Sequence, residues 1–250
     1  MAHAHHPNII TPPGTALPDR TVGELVAERP GRSRVFQAFQ IDFCCQGGRT
    51  LREACDRKSA DLAVVISELE SESLSPTEPQ SNSAELAPAE LCEYIVEAHH
   101  GYLRRELPRI HAMAQRVAHV HGGHTPSLLE IFEVFDGLAT ELGEHMMKEE
   151  QVLFPAVRAL ASGEDTPMPL DGPIECMIHE HDVAGQALAR LRLLTNAYQP
   201  PAEACNTYRA LFDGLADLEK DLHRHIHLEN NVLFPAAIAM GEVRETVRCC

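Results

Sequence analysis

His145-Met146-Met147-Lys148-Glu149-Glu150-Gln151-Val152-Leu153-Phe154-Pro155-Ala156 is answered 80 residues later by His225-Ile226-His227-Leu228-Glu229-Asn230-Asn231-Val232-Leu233-Phe234-Pro235-Ala236. Each copy is His-x-x-x-Glu followed by Val-Leu-Phe-Pro. On a helix, residues four apart share a face one turn from each other. Each copy can therefore aim one imidazole and one carboxylate at the same point. Two such helices, facing, would bring two imidazoles and two carboxylates to one buried spot, which is the make-up of a metal site with room for two ions.

The flanks keep the register. Leu138, Leu142, His145, Glu149 and Val152 match Leu218, Leu222, His225, Glu229 and Val232. Both sets follow an apolar helical stripe, with the His and Glu inside it. A lone His-x-x-x-Glu is ordinarily a solvated surface pair. An ionised carboxylate on a core stripe is costly unless it is paired or metal-bound, and a repeated one argues for metal.

A further histidine precedes each copy. Val96, His100, Leu103, Leu107 and Ile110 form one stripe; Met177, His181, Ala184, Leu188 and Leu191 form another. The unit is a helix with one His, a loop, and a helix with His-x-x-x-Glu, used twice. His99, His179, His223 and His227 fall off the ligand face at 3.6 residues per turn. They are expected on the solvent side of the bundle or behind the ligands. The candidate metal ligands are thus His100, His145, Glu149, His181, His225 and Glu229. Carboxylates with imidazoles suit iron, although zinc and manganese accept the same ligand types.

The expected fold is all-α: a small N-terminal helical domain and an up-down-up-down four-helix bundle, whose core is a usual place for two-metal sites. Residues 1–19 read as a flexible tail and 20–70 as the small domain. Residues 71–88, rich in Ser and Pro, read as a linker. Residues 89–240 form the bundle, and 241–250 a C-terminal tail. The bundle helices are expected over about 89–120, 127–161, 174–198 and 202–239, with bends at Pro155 and Pro235 just beyond the Glu positions. In the small domain, Thr21-Val22-Gly23-Glu24 reads as a capping box. Thr50 and Ser59 are expected to cap later helices.

Asp42-Phe43-Cys44-Cys45-Gln46-Gly47-Gly48 is the other unusual string. Arg49 and Arg52 are near enough in sequence to favour thiolate. The adjacent Cys44 and Cys45 suit a redox relay, transient iron ligation or reaction with nitric oxide. Adjacent cysteines do not both chelate one ion on an ordinary backbone, so no stable zinc site is expected here.

The segment from about Leu86 to Met240 resembles a hemerythrin-like bundle. It differs from the oxygen carriers, which use five histidines and less symmetric spacing. The two long strings quoted first, with Glu180-His181-Asp182, resemble the di-iron repair-of-iron-centres family, and Asp42–Gly48 resembles that family's small cysteine-bearing domain. The resemblance implies a bridged centre of two iron ions on the six residues named above. Glu149 and Glu229 would bridge, and Cys44 and Cys45 would be the family's vicinal pair. It implies repair of iron–sulfur clusters damaged by nitric oxide or peroxide, with damaged iron–sulfur proteins as partners and nitric oxide or oxygen as small ligands. Two other activities need the same six ligands: reduction of nitric oxide, and its binding without turnover. Whether the protein is an enzyme stays open at this point, as does a homodimer.

Composition narrows the partners. The chain has 21 basic and 37 acidic residues, a net charge of −16. That argues against nucleic acid and anionic membrane surfaces. No apolar run approaches a membrane span. Eight cysteines without a recognisable export signal suggest reduced thiols in a cytoplasm. Cys249 and Cys250 are a second adjacent pair that the resemblance does not account for.

Overall fold

The computed structural model describes residues 12, 14–74, 83–164, 166 and 169–248, the side chains of 73–74 and 242–248 apart. His3, His5 and His6, residues 75–82 of the expected linker and the Cys249-Cys250 pair lie outside the described residues. Helices account for all the regular structure described, apart from one isolated bridge between Thr21 and Thr50. Internal contacts divide the chain into two units: residues 92–225, and residues 1–91 together with 226–250. The division falls inside a continuous helix.

The N-terminal module contains α1 (Val22–Glu28), α2 (Arg32–Ala38), α3 (Leu51–Lys58) and α4 (Leu62–Leu74). Thr21 and Thr50 each close a full capping box, with Glu24 and Glu53 respectively. Each box satisfies two backbone N–H groups that a helix start leaves open. Ser59 does not cap α4. It ends α3 in the left-handed region at φ 53°, and Asp61 accepts the first N–H groups of α4 instead. The carboxylate two residues nearer the helix wins because it reaches the open donors directly. The module closes on Val22, Leu25, Phe36, Phe43, Leu51 and Leu69, and Ile226 joins the same core.

The bundle is built from four long helical stretches. The first is α5 (Pro88–Tyr94), a π-helical turn Ile95–His100, and α6 (Gly101–His121). The second is α7 (Ser127–Lys148), a π turn Glu149–Leu153, and α8 (Phe154–Ala161). The third is α9 (Asp171–Leu194). The fourth is α10 (Asn206–Leu228), a π turn Glu229–Leu233, and α11 (Phe234–Arg248). Leu103 and Ile110 of α6, Leu138 and Leu142 of α7, Leu188 and Leu191 of α9, and Leu218 and Leu222 of α10 are buried in one cluster. These are the apolar stripes read from sequence. Burying a Leu or Ile side chain contributes roughly 1.5–3 kcal/mol, so these shared layers are what hold the ligand helices in register.

Each π turn lengthens the hydrogen-bond ladder. Gly101 N–H donates to Val96 O, Phe154 N–H to Glu149 O and Phe234 N–H to Glu229 O, each spanning five residues. Pro155 and Pro235 help explain the second and third. Proline has no N–H, and its ring clashes with the carbonyl four residues back. A wider turn ahead of it relieves that clash. The wider turn also moves the stripe: Val152 is exposed, while Leu153 and Leu233 are buried. The sequence reading had placed Val152 and Val232 on the core face, in α-helical register.

Candidate metal centre

All three π turns lie at ligand positions. His100 ends the first, Glu149 begins the second and Glu229 begins the third. Single π turns inside α-helices are frequent at functional sites because they re-aim side chains that a regular helix would hold elsewhere. His181 sits on the unbroken α9.

Two groups of buried ligand atoms result. One is His100, Glu149, His225 and Glu229; the other is His145, Glu149, His181 and Glu229. Within each group the candidate atoms lie within 4.8 Å of one another. Every one of the six residues is buried, and Glu149 and Glu229 are fully so. Glu229 enters both groups because it follows His225 by one turn of the same continuous helix. Both carboxylates are common to the two groups.

The surroundings fit metal better than they fit a bare ionic cluster. Neither oxygen of the Glu149 carboxylate is in hydrogen-bonding geometry. His100 Nε2 and His145 Nε2 approach its two oxygens at 3.2 Å each. His145 Nε2 and His181 Nε2 face each other at 3.1 Å. Nitrogen lone pairs and carboxylate oxygens crowd one dry point. Taking a carboxylate out of water costs several kcal/mol even after relaxation, and a cation at that point offsets the cost.

The far side of two imidazoles is braced. His100 Nδ1 lies 2.6 Å from Glu150 Oε1, and His145 Nδ1 lies 2.8 Å from Glu180 Oε2. With the proton on Nδ1, each ring donates outward and leaves Nε2 free to coordinate, as metal-bound histidines commonly do. The outer carboxylates are themselves held by cations, Glu150 by Arg104 and Glu180 by Lys148. Hydrogen bonds from the imidazoles and these cations outweigh partial burial, and both carboxyl pKa values lie below the ordinary range.

Of the four histidines expected on the solvent side or behind the ligands, His99 and His227 are buried. His99 Nδ1 is 2.9 Å from Asp221 Oδ1, and its ring stacks on His225 at 5.3 Å. It sits in the π turn, where a wheel drawn at 3.6 residues per turn does not apply. His227 does face away from the ligands, but onto protein: its ring packs edge-on against Phe43, with centroids 5.6 Å apart. Burial pushes its pKa down to about 4, against a smaller opposing effect of the Phe43 carbonyl. His179 is exposed and His223 half-buried.

Cys44 and Cys45 sit in a loop organised by Asp42. Asp42 Oδ1 accepts from the backbone N–H groups of Cys44, Cys45 and Gln46 at 3.0, 2.9 and 3.3 Å. Cys44 is buried, Cys45 half-buried, and their sulfurs lie 3.8 Å apart. Arg49 donates to Gln46 and Arg52 pairs with Asp19. Neither arginine is among the groups that shift the Cys44 thiol. The Cys45 sulfur, burial and the Asp42 carboxylate push the Cys44 thiol well above its ordinary pKa.

The loop is held against the fourth bundle helix. Asn231 Nδ2 donates to Cys44 O at 3.1 Å and to Phe43 O at 3.3 Å; Asn230 Nδ2 donates to Cys44 O at 3.4 Å. His227 Nδ1 lies 3.3 Å from Phe43 O. A Cβ added at Gly23 or Gly47 would collide with the Asn231 amide oxygen. The two glycines open the space in which that amide sits. Asn230 and Asn231 were missed by the sequence reading, though the second copy carries Asn-Asn where the first carries Glu-Gln.

Comparison with known proteins agrees with this architecture. The hemerythrin HHE cation-binding domain matches residues 93–237, and a domain of unknown function, DUF542, matches residues 18–73. An iron-sulfur cluster repair protein YtfE from Edwardsiella ictaluri is 42% identical over 221 residues, covering 88% of this chain and 97% of the relative. The chain belongs to this family of iron-sulfur cluster repair proteins. Proteins of the same description from Musicola paradisiaca and Cronobacter sakazakii are 38% and 39% identical. They align over 88% and 90% of this chain and over 96% and 98% of their own lengths. Family membership thus covers both the helical bundle and the cysteine-bearing module. No helix among the described residues is long and apolar enough to cross a membrane.

Proposed function

We propose that the protein restores iron–sulfur clusters damaged by nitrosative or oxidative stress, acting through iron donation or redox change at a two-iron centre. The observation that carries this reading is the pair of buried His-and-Glu groups sharing Glu149 and Glu229. The description of its close relatives names the task. In this reading His100 and His225 would hold one ion and His145 and His181 the other, with Glu149 and Glu229 available to both. The centre supplies exchangeable iron and a redox couple when loaded. Glu150 and Glu180 hold the proton on the Nδ1 atoms of His100 and His145, which keeps Nε2 available. The leucine layers below the site exclude water.

Cys44 and Cys45 serve as a redox or iron relay between the centre and client proteins. The partners are damaged iron–sulfur proteins, with nitric oxide or oxygen as small ligands, in the cytoplasm. The relay tests in a reconstituted assay, with the full chain mixed anaerobically with a nitric-oxide-damaged iron–sulfur enzyme. Client activity should recover, and Cys44→Ser with Cys45→Ser should slow recovery while the di-iron spectrum persists. Nitrous oxide is measured in the same vessel. Many equivalents per chain without client recovery would replace repair by nitric oxide reduction.

A further inference from the structure

Asp42, Cys44 and Cys45 bring one carboxylate oxygen and two sulfurs within 4.8 Å of one another. We infer that these three residues form a second metal site, for a divalent thiophilic cation in transit, separate from the His-and-Glu centre. Within the repair reading, on which this inference rests for its purpose, the natural cation is ferrous iron.

Three features of the geometry support it. The first is distance. Metal–sulfur bonds of about 2.3 Å and metal–oxygen bonds of about 2.0–2.2 Å, set tetrahedrally, give edges of roughly 3.8 Å between sulfurs and 3.5 Å between sulfur and oxygen. The two sulfurs are 3.8 Å apart, and Cys44 Sγ is 3.2 Å from Asp42 Oδ1. The sulfurs therefore need almost no movement to span one ion. Adjacent cysteines do not chelate one ion together on an ordinary backbone, but this loop is wound around the Asp42 carboxylate and already holds the two sulfurs 3.8 Å apart.

The second is preorganisation. Three backbone N–H groups fix that carboxylate. They also compensate part of its charge, which favours a weak, releasing site over a permanent one. Three protein ligands leave a coordination position open, as sites that exchange ligands do. The third is attachment. The Cys44 carbonyl is gripped by Asn230 and Asn231, the two residues following Glu229. A change in the backbone at Glu229 would be felt at Cys44 through two side chains.

Loading releases the two thiol protons to solvent as the cation enters; no electron moves, and the reverse exchange returns the protons. The probe is Co2+ alone, added anaerobically to the full chain with its iron centre loaded. Cys249→Ser and Cys250→Ser are carried throughout, so that the terminal pair does not contribute. Cobalt should bind at about one equivalent beyond the resident iron, with a sulfur-to-cobalt charge-transfer band in the near ultraviolet. Cys44→Ser and Cys45→Ser should each abolish the two-sulfur band. If Cys44→Ser fails to fold, the half-buried Cys45 position decides the point. Asp42→Asn keeps the backbone hydrogen bonds and should weaken cobalt binding at least as much as losing an outer-shell partner, roughly 10–100-fold. Absence of the band, its survival in Cys45→Ser, or unchanged affinity in Asp42→Asn overturns the site. Iron is counted in the same samples: intact iron with no cobalt band sinks this site alone, whereas a cobalt band on a chain that never held iron sinks the repair reading alone.

Discussion

The two His-x-x-x-Glu copies start from one pattern and end in different surroundings. After its glutamate the first copy reads Glu150-Gln151, and Glu150 braces His100 while Arg104 holds it in place. After its glutamate the second reads Asn230-Asn231, and both amides donate to the cysteine loop. Met147 of the first copy is 54% exposed; its counterpart His227 is 4% exposed against Phe43. The inward-facing His and Glu are common to both copies, and the outward-facing residues differ. One helix supports the imidazoles from behind, and the other carries the thiol module.

This division can be broken from the inside outward. The largest effect is expected from Glu149→Ala or Glu229→Ala. Each removes an acceptor common to both groups, so metal retained after dialysis should fall close to zero. His99→Ala and His227→Ala should retain most of it. Equal losses in all four would mean that the ligand register is misassigned.

Next come Glu150→Gln and Glu180→Gln, which keep shape but lose the charge that orients the imidazole. Metal affinity should drop roughly 10–100-fold. Asn230→Ala, the matching position in the second copy, should leave affinity within a few-fold. Competition with a chelator of known strength measures both, and a comparable drop at Asn230 would erase the contrast between the copies.

A smaller effect is expected in stability. His227 stays neutral in the folded chain, with a pKa of about 4 against 6.5 when unfolded. Its folded pKa is depressed, so the unfolded state binds the proton first as pH falls. Stability is lost between about pH 6.5 and 4, by on the order of 3 kcal/mol at the lower end. His227→Met should flatten that slope in denaturant melts, whereas Met147→His, at the exposed counterpart, should add none. Asn231→Leu should cost about 1–3 kcal/mol through the donor lost to the Phe43 and Cys44 carbonyls. If it leaves the alkylation rate of Cys45 unchanged, the amide does not hold the loop.

Much of the bundle was legible because its signals are local and repeated. The stripes through Leu103, Ile110, Leu188 and Leu222 are periodic, and the duplicated string fixes which His and Glu share a face. The π turns were not legible; two of them depend on how Pro155 and Pro235 are accommodated within a continuing helix, and no proline follows the first closely. They shifted Val152 outward and brought His99 into the interior. His227 was placed on the correct side of its helix, but its burial depends on Phe43, 184 residues away in sequence. The cysteine loop was recognised by its adjacent thiols. Its geometry comes from Asp42 and from Asn231, and no periodicity signals either. Arg49 and Arg52 do not lower the Cys44 thiol as their closeness in sequence suggests, because closeness in sequence does not fix where a long side chain points.

The central claim is that His100, His145, Glu149, His181, His225 and Glu229 hold two bridged irons. The most direct measurement is metal content of the full chain purified without added metal, with Mössbauer spectroscopy on iron-57-enriched protein. The account predicts about two irons per chain in a spin-coupled pair. One tightly held zinc per chain, or iron as an isolated magnetic centre, would contradict it.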